Sequence, residues 1–177
     1  MSTNYLALPI GSAAPKVVNA VIEIPMGSSN KYEYDKHLHV FRLDRRLYSP
    51  VHFPGDYGFI PSTLAEDGDP LDVLVLVESG TFSGCLLEVR PIGLLEVRDQ
   101  GKPDEKILAV ATQNPRYAEV RDYGDVFPHQ LLEIRHFFSI YKDLEGKRVE
   151  IVGWKDAEGA WQQILACHQR YAMPDRT

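Results

Sequence analysis

Cysteine is scarce in this chain. Only Cys85 and Cys167 occur in 177 residues. They lie far apart with no C-x-x-C spacing, which excludes a disulfide framework and a thiolate zinc site; both are expected to be reduced and mostly buried. Long apolar runs are missing too, and no stretch approaches the roughly 18 residues of a membrane span. The N-terminus, M-S-T-N-Y-L-A-L-P-I-G, has no basic region ahead of an apolar core. No secretory signal is read there, and a cytoplasmic, membrane-free protein is expected. Positive charge is in deficit: 19 Lys and Arg stand against 25 Asp and Glu, a net charge of −6. Broad nucleic-acid binding is therefore disfavoured, since phosphate contacts need clustered cations. Walker A, G-x-G-x-x-G, H-E-x-x-H and G-x-S-x-G stretches are absent, which removes the site types they build.

The composition that remains, 44% hydrophobic and 25% charged, suits one globular domain over residues 1–177 with a core needing no covalent staples. Strand patterns cover 17–25 (V-V-N-A-V-I-E-I-P), 31–35 (K-Y-E-Y-D), 39–45, 73–77, 86–97 with a bend at Pro91 and Gly93, 107–111 and 148–154. Pro50, Pro54, Gly55, Gly58 and Pro61 make 50–61 read as loop. Asn114-Pro115 reads as a cap opening a short helix to about Val120. From Pro128 to Leu144, Leu131, Ile134, Phe138 and Tyr141 recur at helical steps, with Gly146 as the stop and Phe137 and Phe138 as core. Asp156 caps a second helix that places Trp161, Ile164, Leu165, His168 and Ala172 on one face. Strands first and helices last argue an α+β fold, with helices packed on a curled antiparallel sheet or small barrel.

One stretch demands explanation. E-D-G-D-P-L-D at 66–72 sets four acids in seven positions directly against the buried run V-L-V-L-V. Two like charges about 4 Å apart repel by roughly 4 kcal/mol at an effective dielectric of 20. Asp67 and Asp69 alone are ordinary turn chemistry. A third aspartate, Asp72, entering a buried strand points instead to a hard cation such as Mg²⁺ or Mn²⁺, held by oxygens without Cys or His. An EF-hand loop does not fit, because Leu71 and Asp72 stand where Asp or Asn and Gly belong and a strand follows in place of a helix. His37-x-His39 lacks a third ligand and is read as two turn or strand histidines.

The run E-D-G-D-P-L-D-V-L-V resembles the signature of the family I soluble inorganic pyrophosphatases. V-I-E-I-P, K-Y-E-Y-D, L-D-R, P-G-D-Y-G-F-I-P, R-P-I-G, D-x₄-D-x-K at 99–106, H-F-F-S-I-Y-K-D-L-E and V-G-W follow in the family's order. The resemblance implies an OB-like five-stranded antiparallel β-barrel with additional strands and two main α-helices packed outside. It implies Mg²⁺-dependent hydrolysis of inorganic pyrophosphate to two orthophosphates by direct attack of a metal-activated water, Mn²⁺ or another divalent cation being an alternative. Asp67, Asp72, Asp99, Asp104, Glu33 and Glu23 match the metal positions and Asp69 the general base. Lys31, Arg45, Tyr57, Lys106, Tyr141 and Lys142 match the positions that hold phosphate, with Lys31, Arg45 and Tyr57 also counted as catalytic. A homo-hexamer is implied as well, with His136 or Trp161 as candidate contacts.

Three positions depart from the family pattern. Phe53 stands where tyrosine is common, Asp56 replaces an asparagine and would add charge beside Tyr57, and Lys102 replaces a glycine, with Gly101 one step early. On residues alone, two other readings stay open: a phosphohydrolase of nucleotides or polyphosphate, and an OB-like module that binds without turnover.

Overall fold

The computed structural model describes residues 3–173. Nine strands run in the order β1 (Val18–Ile24), β2 (Asn30–Asp35), β3 (Val40–Arg46), β4 (Asp56–Phe59), β5 (Asp72–Leu76), β6 (Leu86–Asp99), β7 (Lys102–Pro103), β8 (Lys106–Ala111) and β9 (Val149–Lys155). Two α-helices follow the same chain order, α1 (Pro128–Ile140) before β9 and α2 (Ala157–Ala172) after it. β1, β4, β5, β8 and β6 pair in sequence, and β6 pairs back onto β1, closing a five-stranded ring. β7 and β9 extend from β6, while β2 and β3 form a separate hairpin. The expected α+β fold with a closed, OB-like barrel is what the chain adopts.

The barrel is not wholly antiparallel, as the sequence reading had it. β5 and β8 run parallel, with Asp72 opposite Lys106 and Leu76 opposite Val110. They are joined through β6 and β7 instead of a tight turn, and a parallel pair needs such a long connection. Period-two patterning cannot distinguish the two cases.

β5 explains its own V-L-V-L-V composition. Leu74 and Leu76 enter one apolar cluster with Phe53, Tyr57, Ile134, Phe137 and Phe138. Val73 and Val75 enter another with Ala20, Ile22, Ala109, Ala160 and Ile164. With both faces covered, a near-continuous apolar run is required, and each such side chain contributes about 1.5–3 kcal/mol by burial. α1 supplies Ile134, Phe137 and Phe138 to the first cluster, and α2 supplies Ala160, Ile164 and Cys167 to the second.

Several boundaries moved. Residues 50–61 are not all loop, because Asp56–Phe59 form a fully buried strand. Gly58 is glycine for close approach, not for a turn: a Cβ there would lie 1.9 Å from the Val21 carbonyl oxygen. The helix expected from Asn114 is a single 3₁₀ turn, Pro115–Tyr117, though the Asn114 side chain caps it as read. α1 stops at Ile140, and a 3₁₀ turn, Asp143–Glu145, precedes Gly146 at φ +69°. On α2 the Asp156 cap holds, but the buried face is Ala157, Ala160, Ile164 and Cys167; Leu165 and Ala172 are exposed, and Trp161 is half-buried beneath the Lys16 ammonium. The break in β6 falls where Pro91 and Gly93 placed it. Before it β6 pairs with β1 and beyond it with β9, so the one strand serves both the ring and its extension.

Gly58→Ala tests the β1–β4 approach. Backbone must move to admit the methyl, and overpacking costs about 1–3 kcal/mol or more. Urea unfolding of the variant should show at least that loss; parental stability would mean the strands are not this close.

Candidate active site

The mouth of the barrel gathers side chains from eight places in the chain. The end of β1 brings Glu23, the β2–β3 hairpin Lys31 and Glu33, and β4 Tyr57. The turn before β5 brings Asp67 and Asp69, and β5 opens with Asp72. The β6–β7 hairpin brings Asp99 and Asp104, β8 opens with Lys106, and the chain leaving α1 brings Tyr141 and Lys142. All line one cleft of about 610 Å³. The parallel seam accounts for part of this, since it places the first residues of β5 and β8 side by side at the same end.

Arg45 is the one expected residue outside the cleft lining. A bulge in β3 at Asp44 pairs Arg45 with Lys31, and bulges re-aim side chains in this way. Its guanidinium is fastened to Glu145 at 2.9 Å and to Asp44, whose carboxylate also lies 3.5 Å from Lys31. Arg45 therefore stands at the rim, turned towards two carboxylates. Lys36, Gln100 and Lys102 line the cleft and were not foreseen. Gln100 and Gly101 have φ of +51° and +84°, a tight two-residue hairpin turn. With it, Lys102 pairs opposite Asp99 and Asp104 still faces the site, so the displaced glycine costs the loop nothing visible.

The electrostatics are dominated by burial. Lys106 is 3% exposed and reaches Asp72 Oδ2 and Asp104 Oδ1, each at 2.5 Å. Burial opposes its charge, but the two carboxylates outweigh it and push its pKa upward. Two acids share that one ammonium, so burial raises the Asp104 pKa despite the ion pair. Tyr57 donates to Asp72 Oδ2 at 2.7 Å, and burial with the neighbouring carboxylates holds it as a phenol. Lys142 reaches Asp99 Oδ2 at 2.5 Å, and Lys31 pairs with Glu33. Burial raises the Asp69 pKa, with Asp67 adding to it. Glu23 accepts from the Tyr34 N–H at 2.7 Å, yet burial pushes its pKa up to about 8.

The other departures resolve elsewhere. The Asp56 side chain points away from Tyr57. It accepts from the Met26 N–H at 2.8 Å, the Thr81 N–H at 3.1 Å and the Thr81 hydroxyl at 2.6 Å, so it ties two loops together and adds no charge to the site. Phe53 is 1% exposed and packs on Phe137 and Tyr57. His39 Nδ1 lies 2.8 Å from the Tyr34 hydroxyl, a partner that is not a metal-ligand arrangement.

The residues fit a divalent cation. Seven carboxylates against five lysines line the cleft, a formal excess of two negative charges. Asp99 Oδ1 is buried with no hydrogen-bond partner, while its other oxygen holds Lys142, and such a half-satisfied carboxylate calls for an additional positive partner. All candidate donors are oxygens, which suits a hard cation. Among the described residues, no three acidic, His or Cys side chains converge at gripping distance; Glu33, Asp72, Asp104 and Asp99 are paired instead with Lys31, Lys106 and Lys142.

Barrel and cleft together define a class: a closed β-barrel protein whose mouth crowds carboxylates and lysines into one cleft. Comparison narrows the class. The family model for inorganic pyrophosphatase matches residues 20–172, and the chain belongs to that family. The inorganic pyrophosphatase of Halalkalibacterium halodurans is 52% identical over 157 residues, 89% of this chain and 96% of that one. That of Synechocystis sp. is 52% identical over 161 residues, 90% and 95% of the two chains. The crystal structure of the Thermus thermophilus inorganic pyrophosphatase superposes with a TM-score of 0.94 at 47% identity, covering 97% of this chain and all of that one.

Glu23 gives a pH-dependent test in protein freed of divalent ions. Between its unfolded value of 4.5 and about 8, the folded state keeps a proton that the unfolded chain has released. Stability from this group is thus complete below about 4.5 and is lost as pH rises through the window. With chelator present, Glu23→Gln should gain in Tm over the parent as pH climbs through this range. A constant difference would remove the raised pKa.

Proposed function

We propose that the chain hydrolyses inorganic pyrophosphate to two orthophosphates with the help of Mg²⁺. The observation that carries this reading is the convergence of Asp67, Asp72, Asp99 and Asp104 with Lys31, Lys106 and Lys142 in one cleft. Family membership supports the same substrate. Asp67, Asp72, Asp99 and Asp104 would hold the cations, with Glu33 and Glu23 beside them. When bound, Mg²⁺ supplies positive charge that offsets the acidic excess and lowers the pKa of water.

The chain's own residues then divide the work. Lys31 and Lys142 stand ready to hold phosphate oxygens once cations relieve them of Glu33 and Asp99. Arg45, at the rim beside Lys31, reaches the outer phosphate. Tyr57 and Tyr141 border the cleft as phenols, since burial raises both pKa values. Asp69 takes the proton from the attacking water, and its raised pKa makes it a better base than an ordinary aspartate. The water oxygen bonds to one phosphorus as the bridging P–O bond breaks in line, and lysines stabilise charge on the departing phosphate. No covalent enzyme intermediate is required. A homo-hexamer in the cytoplasm belongs to the same proposal by family resemblance, and exposed apolar residues such as Phe127 and Leu132 are compatible with subunit contacts.

Phosphate release should be measured from pyrophosphate, ATP and tripolyphosphate, with and without Mg²⁺. Release from pyrophosphate alone, and only with the cation, is expected. Preference for ATP or tripolyphosphate would favour a broader phosphohydrolase, and no release at all a binding module. Asp69→Asn should keep parental Tm and lower kcat by roughly 10²–10⁴; full activity at neutral pH would remove Asp69 as the base.

A further inference from the structure

The acidic turn that carries Asp67 and Asp69 is shaped from within. The Ala65 N–H donates to the Asp69 carbonyl at 2.7 Å, the Gly68 N–H to the Ala65 carbonyl at 3.2 Å, and the Asp69 N–H to Asp67 Oδ1 at 3.0 Å. These bonds define the turn but not where it points. One end is fixed by β5, where the Ile60 N–H donates to the Leu71 carbonyl at 2.9 Å and the Leu71 N–H to the Thr63 hydroxyl at 2.9 Å. The other end, Ser62–Leu64, belongs to no strand or helix.

Thr63, in the middle of that end, is tied to the β4–β5 pair, donating to the Ile60 carbonyl at 2.5 Å and accepting from the Leu71 N–H; Ser62 and Leu64 on either side are held by the last turns of α2. Both backbone groups of Leu64 are taken: its N–H donates to the Cys167 carbonyl at 3.0 Å, and its carbonyl accepts from Arg170 Nη1 at 2.7 Å. The second arm of the same guanidinium lies 3.9 Å from Glu66. His168 donates from Nδ1 to the Ser62 carbonyl at 2.7 Å; the carbonyl can only accept, so Nδ1 carries the proton. Ser62 has φ of +54°, a left-handed conformation uncommon outside glycine. It persists only where surrounding contacts over-determine it. Besides His168, the Ser62 N–H donates to the Leu6 carbonyl at 2.9 Å and its hydroxyl to the Leu8 carbonyl at 2.8 Å.

We infer that Arg170 and His168 are positioning residues for the site: from outside the cleft, they hold Ser62–Leu64 so that Asp67 and Asp69 face the metal and the attacking water. Neither residue lines the cleft. The inference rests on the function proposed above. Partners that orient metal ligands typically govern affinity or activity by about 10- to 100-fold.

Three variants separate positioning from bulk stability. Arg170→Met keeps the aliphatic stem and removes the hydrogen bonds, Arg170→Lys keeps a donor and a charge, and Ile164→Val loosens α2 packing while leaving the hydrogen bonds from α2 to Ser62 and Leu64 in place. Each is measured for Mn²⁺ affinity without substrate, for amide exchange over 61–72, for kcat and KM with pyrophosphate, and for Tm. Arg170→Met should bind Mn²⁺ about tenfold or more weakly, exchange faster over 61–72 and lose kcat more than KM, with partial recovery in Arg170→Lys. Ile164→Val should lower Tm alone. Mn²⁺ affinity within about twofold of the parent in Arg170→Met, well short of the roughly tenfold loss expected, would overturn the inference and leave the proposed function standing. A parent that binds neither Mn²⁺ nor Mg²⁺ would overturn both.

Discussion

Lys106 keeps its ammonium at 3% exposure between Asp72 and Asp104, and the barrel mouth is organised around that contact. Charge at such depth is tolerated only when paired and hydrogen-bonded. Two of its partners are themselves members of a crowd of carboxylates, so no single lysine can neutralise the cleft. Lys142 and Lys31 repeat the pattern on a smaller scale, Lys142 leaning on Asp99 and Lys31 on Glu33 with Asp44 3.5 Å away. The result is a cluster stabilised by its own cations and still short of positive charge, which is the condition a divalent ion would relieve. The crowding of acids against the core at 66–72 is thus tolerable because β8 brings its lysine to the same end of the barrel as β5 brings its aspartate.

Much of this was legible in the residues and some was not. Alternation found the strands whose two faces differ, and helical spacing found Ile134, Phe138 and Tyr141. β4 escaped because Gly55, Gly58 and Pro54 carry turn composition, whereas Gly58 answers a steric demand from β1 that lies 37 positions away in the chain. The parallel seam escaped because side-chain period is the same in parallel and antiparallel strands. Twelve of the thirteen expected site residues line one cleft, and family resemblance rather than spacing brought them together. Spacing alone had Asp67, Asp69 and Asp72. Lys36 and Lys102 gave no signal, since a lysine at a hairpin tip reads as ordinary solvated charge. Arg45 stands at the rim and not in the lining because its position depends on a bulge and on Glu145, a residue 100 places away.

The site draws on parts of unequal firmness. Asp72 and Lys106 open buried strands, and Tyr57 lies within one. Asp67 and Asp69 sit on an exposed turn whose internal bonds are few. The candidate metal ligands and the proposed base are therefore mounted partly on paired strand backbone and partly on an exposed turn. Contacts from α2 reach that exposed turn from behind, outside the cleft.

β6 shapes how the cleft can breathe. Asp99 ends a fourteen-residue strand that is first a stave of the barrel and then the partner of β9. Any displacement of the hairpin bearing Asp99 and Asp104 would drag a long beam clamped on both sides. The opposite bank, the exposed turn at 65–69, has no strand of its own and is steadied from behind by α2 through Leu64, so the two banks of the cleft owe their positions to different parts of the chain.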